Sequence, residues 1–378
     1  MKRIPLFAGL VLAAVLMFKV YHGEISAVDV LIMQNGHQSE ANITQVNAKN
    51  AEAEKAKEQT KIETADNPEK LTIMAFGDMM MGRYVRTLMD RKGMDYPFLR
   101  LDFDTPFFGK ADVRFANLEG PIKGKGFESG TSTTFGFNED VAPFLKNYGF
   151  NVLSIANNHA LDQHNDGRDS TVKALEKEQI GWCGKIADTD EKNVYYSKID
   201  NASYAFVCLN DVIYPLDRTK ALELVKNVRE KVDYLVISIH WGIEYSHRPN
   251  KNAQVDFGHA LIENGADIII GHHPHVVQSF ENYKGKFIFY SLGNFIFDQY
   301  WSKDTQEELA IKIELDKDSD GKLATKVNLF PLKSERSQPR LLNTEENKNW
   351  LEKFITYGSY DDAMKEKIRS GVVTASEE

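Results

Sequence analysis

The sequence has no excess of positive charge. The 378 residues carry a formal net charge of −9, which argues against a nucleic-acid partner, because binding a phosphate backbone requires clustered cations that displace counterions. The same charge does not exclude a phosphate-containing substrate, since a bound metal ion can supply positive charge locally. With 42% apolar residues and 22 phenylalanines, the chain has the composition of a globular protein rather than a disordered one.

Cysteine is also scarce. The chain contains only Cys183 and Cys208, each inside an apolar stretch. Buried free thiols are therefore expected more than a disulfide. Two cysteines alone do not identify the redox compartment.

The sequence has one long apolar run that is not interrupted by polar residues, and it lies at the N-terminus. Lys2 and Arg3 precede the run from Ile4 to Phe18, which has the length and basic flank of a signal sequence. Ile25-Ser26-Ala27 is a poor cleavage site. Residues 1–22 are therefore predicted as an uncleaved signal anchor, with a cleaved signal peptide as the alternative, and either segment would place the main domain outside the cytoplasm.

A polar segment separates this run from the rest of the chain. Residues 35–69 contain no aromatic residue and few branched apolar ones, so they cannot bury enough surface to offset their ordering entropy. We expect a flexible tether over 23–69, a folded domain over 70–335, and a charged, peripheral helical extension over 336–378.

Short apolar runs alternate with amphipathic stretches after residue 70. This alternation is typical of an α/β protein in which helices cover a largely buried sheet. Two further runs flank a polar turn and predict a β-hairpin, Glu308–Leu315 with Thr325–Phe330. The other predicted strands are Leu71–Phe76, Val113–Ala116, Val152–Ala156, Ala205–Leu209, Tyr234–Ile239, Asp267–Ile270 and Phe287–Tyr290. The predicted helices lie around Val141–Asn147, Asp169–Glu178, Thr219–Lys231 and Ala253–Asn264.

Polar residues that can bind metal or phosphate follow five of these strands. They are Asp78, the Asn117–Glu119 segment, the Asn157–His159 segment, His240 and the His272–His275 segment. Ligands of α/β proteins bind at the carboxyl ends of strands, so the five loops are expected to converge. Each has an ordinary alternative, such as a turn, a solvated carboxylate or a core histidine. Imidazoles at i and i+2 after a buried strand favour a metal site.

Six motifs occur in the order found in one known family. They are GDMMMGR (77–83), ANLEGPI (116–122), SIANNHALD (154–162), SIHWGIEY (238–245), IIGHHPHVVQ (269–278) and YSLGNFIFD (290–298). Over residues 70–300 the chain resembles the CapA/PgsA family of capsule or poly-γ-glutamate biosynthesis, within the calcineurin-like metallophosphoesterases. The resemblance implies a layered α/β sandwich with two central β-sheets flanked by helices.

The resemblance also implies a set of metal ligands. They are Asp78, Glu119, Asn158, His240, His273 and His275, which would bind one or two divalent Mn, Fe or Zn ions. His159 is then the candidate general acid, oriented by Asp162 or Asp166. Arg83 is predicted to bind substrate or to form a surface salt bridge, while Asn157 and Glu244 are candidates for substrate binding or for supporting the ligands.

Three positions depart from the usual superfamily pattern. Met80 stands where an imidazole is common, Glu119 replaces an aspartate, and Ala160 replaces an acidic residue. These departures weaken the expectation of simple phosphatase activity. We therefore expect an exported, membrane-anchored protein that assists polymer synthesis or export, with synthase subunits, an anionic polymer or a phosphoester as partners. The alternatives are an extracytoplasmic phosphoesterase and a non-catalytic, metal-stabilised binding subunit.

Overall fold

A computed structural model describes residues 70–102, 110–123, 133–185, 189–317 and 322–376. Within these ranges no helix combines the length and apolarity needed to cross a bilayer. The predicted N-terminal anchor and the tether over 23–69 lie outside the described residues.

Two β-sheets form the centre of the structure. The first has the order β14-β13-β12-β1-β2-β3-β4, with β11 also paired to β1 and β15 to β13. The second has the order β5-β6-β7-β8-β10-β9. The strands are β1 (Leu71–Met79), β2 (Val113–Leu118), β3 (Val152–Ser154), β4 (Gly181–Cys183), β5 (Val194–Ile199), β6 (Ala202–Asn210), β7 (Tyr234–His240), β8 (Ile268–His272), β9 (Phe280–Tyr283), β10 (Lys286–Phe289), β11 (Asn294–Ile296), β12 (Glu307–Lys317), β13 (Leu323–Ser334), β14 (Pro339–Leu341) and β15 (Val372–Ser376).

Five helices cover the outer faces of the two sheets, and two helices near the C-terminus pack against the core between the sheets. They are α1 (Arg83–Lys92), α2 (Val141–Asn147), α3 (His164–Lys177), α4 (Arg218–Arg229), α5 (Asp256–Glu263), α6 (Thr344–Ile355) and α7 (Asp362–Arg369). A π-turn, Lys251–Val255, leads directly into α5, and short 3-10 turns occupy Tyr96–Phe98, Glu191–Asn193 and Asp304–Gln306.

Three apolar clusters hold these layers together. The first lies between the sheets, where Phe115 of β2 stacks on Phe206 of β6 with ring centroids 4.9 Å apart. The second packs the outer face of the first sheet against α1, α2 and α3. The third packs the outer face of the second sheet against α4 and α5. The expected sandwich of two central sheets flanked by helices is therefore confirmed.

The predicted strands and helices are present, and the predicted hairpin is the antiparallel pair β12 and β13. The C-terminal residues differ from the expectation of a peripheral helical extension. After α6 and α7 the chain forms β15, which pairs with β13, and Trp350, Phe354 and Val373 belong to the core between the sheets. The extension is thus part of the fold, because its apolar side chains complete a core shared with residues distant in sequence.

The prediction of free thiols is wrong. Cys183 of β4 and Cys208 of β6 form a disulfide with their Cα atoms 5.3 Å apart. Both side chains are fully buried. The bond joins the first sheet to the second, and the sequence could not show that two strands of different sheets meet at this point.

The backbone near the end of β1 lies very close to the backbone of Gly293. A Cβ atom on Gly77 would lie 2.0 Å from the carbonyl oxygen of Gly293, so only glycine fits there. The next residue, Asp78, donates its backbone N–H to that same oxygen at 3.0 Å. The pairing of β1 with β11 therefore places the Asp78 carboxylate opposite Asn294.

Candidate metal centre

The polar residues that follow the strands meet at one place in the structure. Strands β1, β2 and β3 run parallel in the first sheet, and β7 and β8 run parallel in the second. Because the carboxyl ends of parallel strands share an edge, the loops that follow them converge. Asp78, Glu119, His240, His273 and His275 are all buried there, and Asn158 is half-buried.

Asn117 holds two of the predicted ligands together. Its side-chain amide donates to Asp78 Oδ1 at 2.8 Å and lies 3.3 Å from Nδ1 of His240. The other ring nitrogen of His240 faces the side chain of Asn158. That nitrogen, Nε2, lies 2.7 Å from Oδ1 of Asn158. The atoms of His240 and Asn158 thus point at one position, as two ligands of the same cation do.

Glu119 lies between the imidazoles of the cluster. Its Oε1 is 3.7 Å from Nε2 of His275, 3.8 Å from Nε2 of His159 and 4.0 Å from Nε2 of His240. Neither carboxylate oxygen has a hydrogen-bond partner among the described residues, although the side chain is fully buried. A buried acceptor without a donor is costly, so this carboxylate fits a position where a cation binds.

The loop after β8 carries the remaining imidazoles in an unusual backbone conformation. His273 has φ of 97° and His275 has φ of 59°, values that L-residues adopt at some cost. The backbone N–H of His273 donates to Asp78 Oδ2 at 3.2 Å, and Nδ1 of His275 lies 3.0 Å from Oδ1 of Asn294. The amide oxygen accepts from Nδ1–H and leaves Nε2 of His275 facing Glu119.

The electrostatics of the cluster keep its imidazoles neutral. Burial lowers the pKa of His273 to about 4, and burial likewise lowers the pKa of His275 to about 4. Burial, followed by the nearby His273, holds the pKa of His240 well below its ordinary value. Neutral imidazole is the form that binds metal. Nδ1 of His273 has no partner in the part of the chain that the structure describes.

The two carboxyl groups differ in their proton affinity. Burial and the negative charges of Asp78 and Glu244 hold the pKa of Glu119 well above its usual range. Burial also raises the pKa of Asp78, but the hydrogen bond and charge of His272, with His240 and His275, outweigh burial and lower that pKa. Because a cation nearby favours the ionised form, metal binding would drive a proton off Glu119.

His159 lies beside the cluster and is held from two sides. Its Nδ1 is 2.7 Å from Oδ2 of Asp162, and the same oxygen accepts the backbone N–H of Phe135 at 2.7 Å. The Phe135 ring stacks on the imidazole with centroids 3.8 Å apart. Of the two aspartates predicted to orient His159, Asp162 is the one in contact, whereas Asp166 is exposed on α3.

Two predicted substrate contacts already have protein partners. Arg83 forms an ion pair with Asp298, and its guanidinium lies 4.7 Å from the centroid of Phe135. The pair is partly buried rather than on the open surface. Asn157 is buried and donates to Asn117 Oδ1 and to the carbonyl of Leu118, so its amide hydrogens tie the loop after β3 to the end of β2.

The donor set fits a divalent transition metal. One group of ligand atoms comes from Asp78, Glu119 and His240, and a second comes from Glu244, His273 and His275, with the atoms of each group within 4.8 Å of one another. Carboxylate and imidazole suit Mn, Fe or Zn. One or two cations would bind to these two groups of ligand atoms. The Glu119 oxygens, which have no hydrogen-bond partner among the described residues, support this assignment. Glu244 is exposed at the open side of the cluster.

Two residues at the site, Asn294 and Phe135, were not in the candidate ligand segments, whereas Asn117 and His272 were. Asn117 and Asn294 orient His240 and His275, Phe135 covers His159, and Nδ1 of His272 lies 3.2 Å from Asp78 Oδ1. Asn117 lies near the end of β2 and Asn294 begins β11, and each is paired with Asp78 of β1. Nothing in the sequence indicated that Phe135 belongs to the site, because it lies in a segment apart from the predicted ligands. Met80 packs in the apolar cluster on the outer face of the first sheet.

The chain is similar to several known proteins. It is 30% identical over 321 residues to the capsule biosynthesis protein CapA of Bacillus anthracis, covering 79% of this chain and 76% of that protein. It is 32% identical over 264 residues to the PGA biosynthesis protein CapA of Bacillus subtilis, covering 65% and 68%. A solved phosphatase from Mycoplasma pneumoniae aligns with a TM-score of 0.47 and 14% identity, over 71% of this chain and 96% of that chain.

A family model described as bacterial capsule synthesis protein PGA_cap matches residues 72–299. These residues span β1 to the segment after β11 and contain every predicted ligand of the metal centre. The chain belongs to the bacterial capsule synthesis protein family PGA_cap.

Proposed function

We propose that this chain is a metal-dependent hydrolase of capsule or poly-γ-glutamate biosynthesis. The observation that carries the hydrolase part is the buried cluster of Asp78, Glu119 and three imidazoles, in which the Glu119 oxygens have no partner among the described residues. The predicted ligands are Asp78, Glu119, Asn158, His240, His273 and His275. A divalent cation supplies charge stabilisation in the transition state and lowers the pKa of an attacking water.

The protein's own groups would orient the substrate and supply a proton. Asp162, when ionised, accepts from Nδ1–H of His159 and leaves Nε2 directed toward Glu119. His159 protonated at Nε2 is placed to donate that proton to a leaving oxygen at the edge of the cluster. Asn117 and Asn294 keep His240 and His275 in the orientation that the ligand set requires.

The test compares two histidines of the full-length chain. His275 belongs to the cluster, whereas His259 is remote and contacts Glu281 and Tyr283. We expect the wild type and His259→Ala to contain a stoichiometric transition metal and to hydrolyse a phosphoester such as p-nitrophenyl phosphate when Mn²⁺ is added. His275→Ala is expected to lose most of both properties. Elemental analysis and initial rates are the measurements.

Two results would contradict the proposal. Metal-replete wild type that holds no transition metal would remove the metal centre. Bound metal without any turnover, across phosphomonoesters and phosphodiesters, would leave a structural ion in a binding subunit. The relatives named for capsule and PGA biosynthesis support the role in polymer synthesis, which is tested by complementation of a polymer-deficient strain with wild type and His275→Ala.

Export and membrane anchoring are part of the same proposal. The basic, apolar N-terminus supports an anchor, and the Cys183–Cys208 disulfide supports an oxidising compartment, since such bonds are rare in the cytosol. Synthase subunits and an anionic polymer are then the expected partners. Protease added to intact cells should digest the main domain, and thiol alkylation of the denatured chain without reductant should leave both cysteines unmodified. A protected, doubly alkylated protein would overturn the proposal.

A further inference from the structure

An exposed pair of aromatic rings lies next to the candidate metal centre. Trp301 is 65% exposed and Tyr245 is 43% exposed. Their rings meet edge to face with centroids 4.8 Å apart. The other three tryptophans are half-buried (Trp182) or buried (Trp241 and Trp350). Leaving a large aromatic side chain in water forgoes the free energy of its burial, so a ligand is a natural reason for this exposure.

The pair is tied to the loop that carries the ligands. The backbone N–H of Tyr245 donates to the carbonyl of Pro274 at 2.8 Å, between His273 and His275. The Tyr245 ring lies 6.1 Å from the imidazole of His275. Tyr245 has φ of 63°, a conformation that the Pro274 contact helps to hold. A ligand on these rings would therefore border the metal centre.

The polar groups around the rings are suited to hydroxyl groups. Gln299 donates its side-chain amide to the Tyr245 hydroxyl at 3.4 Å, and Glu244 precedes Tyr245 in the chain with an exposed side chain. The amide oxygen of Gln299 accepts from the Asn294 amide at 3.1 Å, which leaves the Gln299 amide a second N–H donor and a second lone pair. Together with the carboxylate of Glu244, which accepts, these groups match the hydroxyls of a sugar. The carboxylate of Glu244 would repel a chain of free carboxylates at this position.

From this arrangement we propose that Tyr245 and Trp301 form a subsite for a pyranose ring, with Gln299 and Glu244 binding its hydroxyls. The C–H bonds on one face of a pyranose pack against the electron-rich face of an aromatic ring. This subsite rests on the proposed function, because it assigns the substrate of the hydrolase to the class of glycans or sugar phosphates. The ring binds at the aromatic pair and directs the scissile group toward the cluster.

The test measures binding by calorimetry with three probes and the full-length chain. The probes are an N-acetylglucosamine trimer, N-acetylglucosamine 1-phosphate and a γ-linked glutamate pentamer. We expect both sugars to bind the wild type, and Trp301→Ala to bind about tenfold more weakly, as for one lost aromatic contact. Trp301→Phe keeps a stacking face and should bind within about threefold of the wild type. Stronger binding of the trimer identifies a glycan chain, and stronger binding of the phosphate identifies a sugar phosphate.

Tyr196→Ala provides the matched control, since Tyr196 is 39% exposed on the edge strand β5 of the second sheet. It should bind both sugars as the wild type does. Binding of the glutamate pentamer without either sugar would overturn the subsite, as would equal sugar affinity of wild type and Trp301→Ala. Titrations with EDTA and with Mn²⁺ separate the two proposals, because sugar binding to metal-free protein does not require a working hydrolase site.

Discussion

Two glutamates of this protein are buried in similar ways but in different surroundings. Within the described ranges, Glu119 at the candidate metal centre and Glu308 in β12 each have two carboxylate oxygens without a hydrogen-bond partner. Burial is the main cause that raises the pKa of each well above the ordinary value. Judged by burial and pKa alone, the two positions are equivalent.

Their neighbours distinguish them. Three imidazole nitrogens lie within 4.0 Å of Glu119 Oε1, those of His159, His240 and His275. Glu308 lies opposite Leu332 of β13, and the nearby Ser334 hydroxyl offsets only part of the effect of burial on its pKa. An unpartnered buried carboxyl is therefore not a site by itself. It becomes a candidate when other ligand atoms point at the same position.

The largest effect is expected when Glu119 loses its charge. Glu119→Gln keeps the volume of the side chain but cannot bind a cation as a carboxylate does. We expect metal-dependent turnover to fall by at least about 10⁴-fold, since metal ions provide both charge stabilisation and an activated water. Initial rates and elemental analysis measure the loss. Glu308→Gln is the matched control and should change neither quantity; a similar loss in both variants would make the two glutamates equivalent after all.

A second substitution tests the proton donor beside Glu119. His159→Ala should lower kcat by about 10²- to 10⁴-fold, the range for a general acid, with metal content unchanged. His159 lies only 3.8 Å from Glu119 but is held by Asp162 and Phe135 rather than by the ligand loop. If the variant instead lost its metal in proportion to its activity, His159 would be a ligand and not an acid.

Removal of the metal should lower the thermal stability of proteins that retain Glu119, but not of the Glu119→Gln variant. A cation that binds only the folded protein stabilises it by about 2.7 kcal/mol at 100 times its dissociation constant. Chelation is therefore expected to lower the Tm of the wild type and of Glu308→Gln, but to leave Glu119→Gln almost unchanged. Thermal melts followed by circular dichroism with EDTA and with Mn²⁺ provide the measurement. A wild-type Tm that does not respond to chelation would argue against any metal at Glu119.

The sequence predicted the position of the centre better than its supporting contacts. Asp78, Glu119 and His240 could be placed together, because each follows a strand and parallel strands share one carboxyl edge. Phe135 could not be placed there, since nothing local relates it to His159. The Cys183–Cys208 bond was missed for a similar reason: the two strands belong to different sheets.

The C-terminal part of the fold shows the same limit. Helices α6 and α7 lie in the region that was expected to be a charged helical extension, whereas β15 was not expected and depends on pairing with β13. Glu308 is the clearest case. Its strand was predicted as one of two runs that flank a polar turn. Its burial arises from packing on both faces of β12, which the sequence pattern does not contain.

The smallest expected effect concerns Glu308 itself. Because its folded pKa is raised, the folded state retains a proton that the unfolded state releases above about pH 4.3. Stability from this group is present below the unfolded pKa and decreases as the pH rises toward the folded pKa. Glu308→Met should therefore stabilise the protein at pH 8 by about 1–3 kcal/mol, the cost of an unsatisfied buried group, and by less at pH 5.

Glu314 is the matched control on the same strand. Burial raises its pKa, but Lys70 and Lys326 outweigh burial and lower it, so its stabilising effect is present above the unfolded pKa and lost in acid. Glu314→Met should leave stability at pH 8 unchanged or reduce it slightly, as for a partly exposed ion pair. Urea unfolding at pH 5 and pH 8 gives both free energies. If Glu308→Met instead destabilised the protein at pH 8, the carboxyl of Glu308 would have a stabilising partner. The surroundings of Glu308 and Glu119 would then not differ in the way described above.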